Sequence, residues 1–430
     1  MKKLIATLTV LIMCVYVWPE NGPMPKASLG LDQALTMALA DNPGLAQMQA
    51  RFKAKSAIPS QVGALPDPML SLNAANFPTD TFRAGQEAMT QIQVGISQKF
   101  PFPGKLALRV QASSYEADAA HSYVDETRLR LIRDVRSSWW TLHYLDQALG
   151  IVARNQDLLR QFVEIAKVKY EVGDGMQQDV LLAQLELSKL LDNKIRLSGI
   201  RRGEVARLNS LINRPANMLI VIDKVDNKML PDLDDESVLY TRALALRPEL
   251  TRVRNKIKAA ESRLGLARKN YYPDFTLGAQ YGFRQGENPI PRGGDRADFL
   301  SLKLSVNLPL YPKRKRASAV SQRSSEVQQE QYALQDTLGT VQAEISQAVA
   351  AYMQAREAFS LFGTGIIPQS QQTVQSMLAA YRVNEVDFLN LVRSQITLFN
   401  FETQYWHAFS AANQALARLS AAVGEENIYE

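Results

Sequence analysis

Phe299-Leu300-Ser301-Leu302-Lys303-Leu304-Ser305-Val306-Asn307-Leu308 places an apolar side chain at every second position from Leu300 onward, with serine, lysine or asparagine between. A period of two specifies an extended strand with one apolar and one polar face. Phe275, Leu277, Ala279, Tyr281 and Phe283 do the same, separated by Thr276, Gly278, Gln280 and Gly282. Leu70, Leu72 and Ala74, then Ile92, Val94 and Ile96, carry the pattern earlier in the chain. Strands are therefore predicted over about 68–77, 89–100, 273–284 and 299–309. At roughly ten residues each they have the length of strands that cross a bilayer in a closed barrel. Polar, Pro- and Gly-bearing segments from Phe77 to Ala88 and from Arg284 to Asp298 join them as hairpin loops.

Downstream of the last strand the period changes. Val320, Val327, Leu334, Val341, Ala348 and Ala355 recur every seven residues, and Leu338, Ile345, Tyr352, Phe359 and Ile366 form a second row four places on. Two such rows make a coiled-coil seam. From Pro312 to Tyr381 only Gly339, Gly363, Gly365 and Pro368 interrupt it. The segment from Lys105 to Tyr170 has no internal proline, and as helix it reaches roughly 100 Å. Each rod is expected to end in a tight turn, Tyr170 to Gly175 or Tyr381 to Val386, and to return as a helix over about Gln177 to Ile212 or Asp387 to Val423. Gly173 and Asn384 suit the left-handed residue that closes a helix.

The chain is written twice, with an offset of about two hundred residues. Ala38-Leu39-Ala40-Asp41-Asn42-Pro43 matches Ala243-Leu244-Ala245-Leu246-Arg247-Pro248. Leu65-Pro66-Asp67 meets Tyr272-Pro273-Asp274, and Phe100-Pro101 meets Leu308-Pro309. Tyr170, Val172, Gln184 and Leu187 align with Tyr381, Val383, Gln395 and Leu398. The organisation read from this is a first repeat over 28–212, a polar linker over 213–235, a second repeat over 236–424 and a tail over 425–430.

Residues 1–27 read as an export signal region: Lys2 and Lys3 precede a run without charge from Leu4 to Trp18, which Pro19, Pro23 and Pro25 break. An uncleaved anchor is the alternative, disfavoured by the short apolar stretch. Cys14 is the only cysteine of the 430 residues, which excludes an internal disulfide framework. It is a weak lipidation candidate, because Met13 stands where a small residue is expected before an acylated cysteine. A net charge of +6 spread along the chain gives no reason to expect a nucleic-acid partner.

Four antiparallel strands cannot close a membrane barrel, and an open edge cannot face lipid. Several chains must share one barrel, unless the strands form a soluble sheet on a helical stalk. Phe77, Phe100, Phe102, Tyr271, Tyr272, Phe283, Phe299 and Tyr311 stand near the strand ends, where an interfacial aromatic girdle belongs. Pro101, Pro103, Gly104, Pro309 and Pro312 mark the passage from sheet to helix, since proline cannot donate into a ladder and resists helix interiors. Lys313, Arg314, Lys315 and Arg316 then stand at a helix start, where cations oppose the dipole. Lipid phosphates, carboxylates of a neighbouring chain, or simple solvation account equally for that run.

The duplicated plan, the Leu65-Pro66-Asp67-Pro68-Met69 approach to the first strand and the Phe100-Pro101-Phe102-Pro103-Gly104-Lys105 exit from the second together resemble the TolC-like outer-membrane factor family. The resemblance spans essentially the whole mature chain. It implies a mainly α fold with a membrane β-barrel portion: a duplicated helix, β-hairpin and long coiled-coil helix unit, assembled as a homotrimer with a twelve-stranded barrel and an α-helical periplasmic tunnel. It implies a passive outer-membrane duct with no cofactor and no catalytic or metal site, working with a periplasmic adaptor protein and an inner-membrane pump. The proline-rich junctions look most like the heavy-metal branch that serves resistance-nodulation-division pumps. Drug efflux, type I secretion, or a periplasmic coiled coil without a pore are the other readings.

The resemblance also implies that the tips meet the adaptor, here at Val172, Gly173, Asp174, Gly175, Val383, Asn384, Glu385 and Val386. Asp174, Asp179, Glu385 and Asp387 offer a negative entrance that favours cations; capping of helix starts is the plainer role for any one of them. The chain departs from the TolC pattern at Asn390 and Arg393, where that pattern has two acids. His121, His143 and His407 are isolated and Met176 reads as packing, so the residues carry no metal-ligand or nucleophile constellation.

Overall fold

The computed structural model describes residues 28–225, 228–383 and 385–428. The expected export signal, Cys14 within it, and Asn384 at the second tip lie outside the described residues. The elements run α1 (Leu31–Asp41), α2 (Pro43–Ser56), α3 (Ile58–Gly63), β1 (Met69–Ala75), β2 (Gln91–Phe100), α4 (Lys105–Glu171) and α5 (Gln177–Leu211). A matching order returns as α6 (Glu236–Leu246), α7 (Pro248–Lys269), β3 (Phe275–Arg284), β4 (Phe299–Val306), α8 (Ala317–Leu361), α9 (Ile367–Arg382) and α10 (Phe388–Val423), with α7 in place of α2 and α3, and α8 with α9 in place of α4.

Local chemistry sets these boundaries. Asn42 caps α2, its side chain accepting from Leu45 N at 3.0 Å, and Pro43 fills the first helical position, where no donor is needed. Its repeat counterpart, Arg247, stands before Pro248 at the start of α7. Both residues also reach a carbonyl near the end of a returning helix: Asn42 Nδ2 donates to Leu211 O at 2.9 Å, and Arg247 Nη1 donates to Ala421 O. The duplication is thus visible as a repeated contact.

α4 is an uninterrupted helix of 67 residues, about 100 Å long at 1.5 Å per residue. Its counterpart is helical over the same span but contains a widened π turn at Phe362–Ile366. Pro368 explains it, because proline lacks the donor that the Thr364 carbonyl needs and its ring crowds that turn. A second π turn, Pro312–Arg316, starts the rod.

Each half builds its own core where its short helices meet the rods. Leu29, Ala34 and Ala38 pack with Val135, Trp139, Leu142 and Leu208, while Leu239 and Ala243 pack with Val341, Ile345, Ala348 and Leu419. Burying one such leucine or isoleucine stabilises by about 1.5–3 kcal/mol. The expected seam residues Val341, Ile345, Ala348, Tyr352 and Ala355 are buried. The segment between the halves is docked rather than free: Ile222 bridges Leu29, Arg201 Nη2 donates to Ile220 O at 3.0 Å, and the Lys228 ammonium lies 4.5 Å from the Trp406 ring centre.

The strands form one antiparallel sheet in the order β1-β2-β3-β4. β1 covers Met69–Ala75 rather than 68–77, and β4 stops at Val306 rather than 309. Pro309 lies between β4 and the helical segment that begins at Pro312, and the strand ends before reaching it. Asn307 ends the strand, its N–H donating to Asp274 O at 3.2 Å and its side-chain oxygen accepting from Asp274 N at 2.9 Å. Asparagine side chains compete with the ladder in this way. β2 does stop at Phe100, directly before Pro101.

Candidate functional site

The register aligns the alternating patterns of all four strands. Leu70 opposes Ile96, Ile96 opposes Ala279, and Ala279 opposes Leu302. One pleat along, Leu72, Val94, Tyr281 and Leu300 form the next row. One face of the sheet is apolar from edge to edge. Leu72 and Leu302 are 74% and 81% exposed there, so no element among the described residues covers that face. The other face carries Ser71, Asn73, Gln93, Gly95, Gly278, Gln280, Ser301 and Lys303. Apolar outside and polar inside is the division a water-filled membrane barrel requires. Among the described residues β1 and β4 each have one unpaired edge. No helix of the described residues is long and apolar enough to cross a membrane.

Below the sheet, a polar clasp joins the halves. Lys105, buried at the start of α4, directs Nζ to Asp274 Oδ1 at 2.7 Å and to Tyr272 O at 2.8 Å. Phe102 N donates to the same Asp274 oxygen at 3.0 Å, and the Phe102 and Tyr272 rings stack at 4.6 Å. Gly104 makes the bend between them, with φ +85°. A Cβ there would stand 2.7 Å from Lys269 Nζ, which donates to Pro103 O. Pro101, Pro103 and Gly104 therefore lie together in this junction, whereas Pro309 and Pro312 lie beyond β4 without such a clasp. Lys313, Arg314 and Lys315 are exposed and make no ion pair among the described residues, and Arg316 Nε donates to Asn270 O at 2.7 Å.

At the far end the two turns lie side by side. Gly173, at φ +82°, closes α4 as a Schellman motif: Asp174 N donates to Lys169 O at 2.9 Å and Gly173 N to Tyr170 O at 3.1 Å. The second tip has the same long-range bond, Glu385 N to Ala380 O at 3.0 Å. Lys169 fastens one tip to the other, donating to Tyr381 O at 2.7 Å with its ammonium 4.5 Å from the Tyr381 ring centre. Tyr381, Phe388, Phe162 and Leu391 form the core beneath. Burial, with the Asp179 charge beside it, pushes the Tyr381 hydroxyl up to about 12.

Of the four expected entrance acids, Asp387 caps α10, accepting from Asn390 N at 2.9 Å. Asp179 sits in the first turn of α5. Burial raises its pKa and the Asp387 charge adds to this, outweighing a backbone hydrogen bond to Met176 and the Lys169 charge. Val172, Asp174, Val383 and Glu385 are exposed, and Gly175 and Val386 are half-buried. The sequence reading missed Lys169, Tyr381 and the Lys105–Asp274 clasp. The alignments of Tyr170 with Tyr381 and of Asp67 with Asp274 were the available signals.

An apolar-faced sheet with two free edges, set on helical rods that turn at paired tips, defines a subunit of a membrane channel. The chain belongs to the outer membrane efflux protein family, which it matches over residues 34–214 and 239–425, one stretch in each half. That membership places it in the outer membrane. Nodulation protein T of Rhizobium leguminosarum bv. trifolii is 24% identical over 161 residues, 37% of this chain and 34% of its own length, so the chain spans about a third of that relative. The outer-membrane channel OprN superposes with a TM-score of 0.77 at 17% identity, covering 92% of this chain and 89% of OprN. VceC of Vibrio cholerae gives 0.76 at 18% identity, covering 92% and 96%. The expected TolC-like architecture is the fold these channels share.

Proposed function

We propose that three copies of the chain close one twelve-stranded barrel and continue it as a periplasmic helical tunnel, forming the passive outer duct of a tripartite efflux system. The observation that carries this is the apolar face running unbroken across a sheet whose two edges are free. Unpaired backbone groups in hydrocarbon cost several kcal/mol each, so the edges must find each other. Two chains supply eight strands, a barrel whose interior side chains fill it; three leave a channel. A soluble stalk leaves the exposed leucine face without a partner.

In this reading the duct does no chemistry. A periplasmic adaptor grips the tips at Val172–Gly175 and Val383–Val386, and an inner-membrane resistance-nodulation-division pump supplies the energy. Heavy-metal cations are the proposed cargo, supported by the proline-rich junctions and by the carboxylates of Asp174, Asp179, Glu385 and Asp387 around the tips. Deleting the gene and measuring tolerance to copper, silver, zinc, cobalt and cadmium beside a panel of drugs tests it. Lost metal tolerance is the expected result; unchanged metal tolerance with lost drug tolerance assigns the same duct to drug efflux.

A further inference from the structure

The clasp between Lys105 and Asp274 has a second copy in the sequence whose partners never meet within one chain. Aligning Phe100-Pro101 with Leu308-Pro309 sets Lys105 against Lys313, and aligning Leu65-Pro66-Asp67 with Tyr272-Pro273-Asp274 sets Asp274 against Asp67. Lys105 follows β2 and Asp274 precedes β3, and these two strands are paired. Lys313 follows β4 and Asp67 precedes β1, and these are the two strands with a free edge. Both side chains are exposed, and neither has an ion-pair partner among the described residues.

We propose that β4 of one copy pairs antiparallel with β1 of the next in the register of β2 with β3, and that Lys313 of the first copy clasps Asp67 of the second as Lys105 clasps Asp274. This rests on the reading that copies share a barrel and adds to it the register and the ion pair. In the chain Phe100 opposes Phe275. The two alignments carry that pair to Leu308 opposite Pro68, hence Val306 opposite Leu70, Leu304 opposite Leu72 and Leu302 opposite Ala74. All of these strand residues lie on the apolar face already defined by the register within the chain. The alignment did not impose that agreement. A slip of one residue sets Leu304 against Ser71 or Asn73 and turns one strand's apolar face into the lumen.

Charge reversal tests the pair, read as the fraction of protein running as a heat-modifiable, SDS-resistant oligomer. Asp67→Lys and Lys313→Asp are each expected to lower that fraction roughly tenfold, and the double reversal to restore it to within about twofold, as for a desolvated pair. Cysteine pairing tests the register without changing any charge. In a Cys14→Ser background, Leu72→Cys with Leu304→Cys is expected to give oxidant-dependent bonds between chains, because directly opposed Cβ atoms stand about 4.5–5.5 Å apart. Leu72→Cys with Leu302→Cys is displaced along the strand and is expected to cross-link far less. A stable oligomer that ignores both single reversals, or that cross-links through the displaced pair, overturns the clasp and register while the shared barrel stands. A wild-type chain that remains monomeric in detergent and in lipid removes the shared barrel itself.

Discussion

Arg247 Nη2 lies 2.9 Å from Glu126 Oε1, joining the two halves of the chain through a pair in which both side chains are buried. Arg130 Nε reaches the same carboxylate oxygen at 2.9 Å, and Glu344 approaches Arg247 at 3.3 Å.

Removing the carboxylate leaves a buried guanidinium with the half-exposed Glu344, at 3.3 Å, as its remaining counter-charge and the Ala421 carbonyl as an uncharged acceptor. Glu126→Leu is expected to lower the stability of the folded chain by about 3 kcal/mol, whereas Glu126→Leu with Arg247→Met is expected to recover most of it. Thermal unfolding followed by circular dichroism checks both. Equal losses in the single and double variants would contradict this account.

Lys169 binds the opposite tip directly. Lys169→Met keeps the aliphatic stem but removes the bond to Tyr381 O and the contact with its ring, which together contribute about 1.5–3 kcal/mol. Under the duct reading the tips separate more readily, and single-channel conductance in planar bilayers is expected to rise. Conductance unchanged from the native protein argues that something else holds the tips.

Asp179 gives the tips a pH dependence with a definite sign. Its folded pKa is raised, by burial first and then by the charge of Asp387. Between the unfolded pKa and the raised folded one, the folded tip therefore holds a proton that the unfolded chain has released. The stabilisation is complete below the unfolded pKa, about 3.9, and is lost as pH rises through the raised folded value. Asp179→Asn is expected to flatten this dependence and to leave tip stability near neutral pH at or above that of the native chain. Hydrogen exchange of the amides over 170–180 measured across that pH window reads it out; identical profiles would remove Asp179 as the cause.

At the upper junction, Gly104→Ala is expected to cost about 1–2 kcal/mol, because a Cβ in the left-handed region is strained and would also press on Lys269. The junction is far from the tips, so the loss should appear in resistance to heat and leave the properties of the tips as they were.

What the sequence displayed were features set by neighbours along the chain. The two-residue period identified all four strands, and the seven-residue rows identified the rods, because each pattern follows from local backbone geometry. Proline marked both passages from sheet to helix, but β4 stops short of Pro309, where Asp274 N donates to the Asn307 side chain across the hairpin. The Lys105–Asp274 clasp was illegible for the same reason, its partners being 169 positions apart. The acids near the tips were visible as charges, yet the cap at Asp387 and the half-buried carboxyl of Asp179 differ through contacts made only in the folded tip. Asn384, at the second turn, lies outside the described residues.

The two rods are similar in length but differ in regularity. The first is a plain strut of 67 residues; the second has a knuckle at Phe362–Ile366, above Pro368. If copies share a barrel as proposed, regular rods and rods with a π turn alternate around the mouth. Under that reading, a sideways push on the tips is expected to bend the rods that carry the π turn before the regular ones.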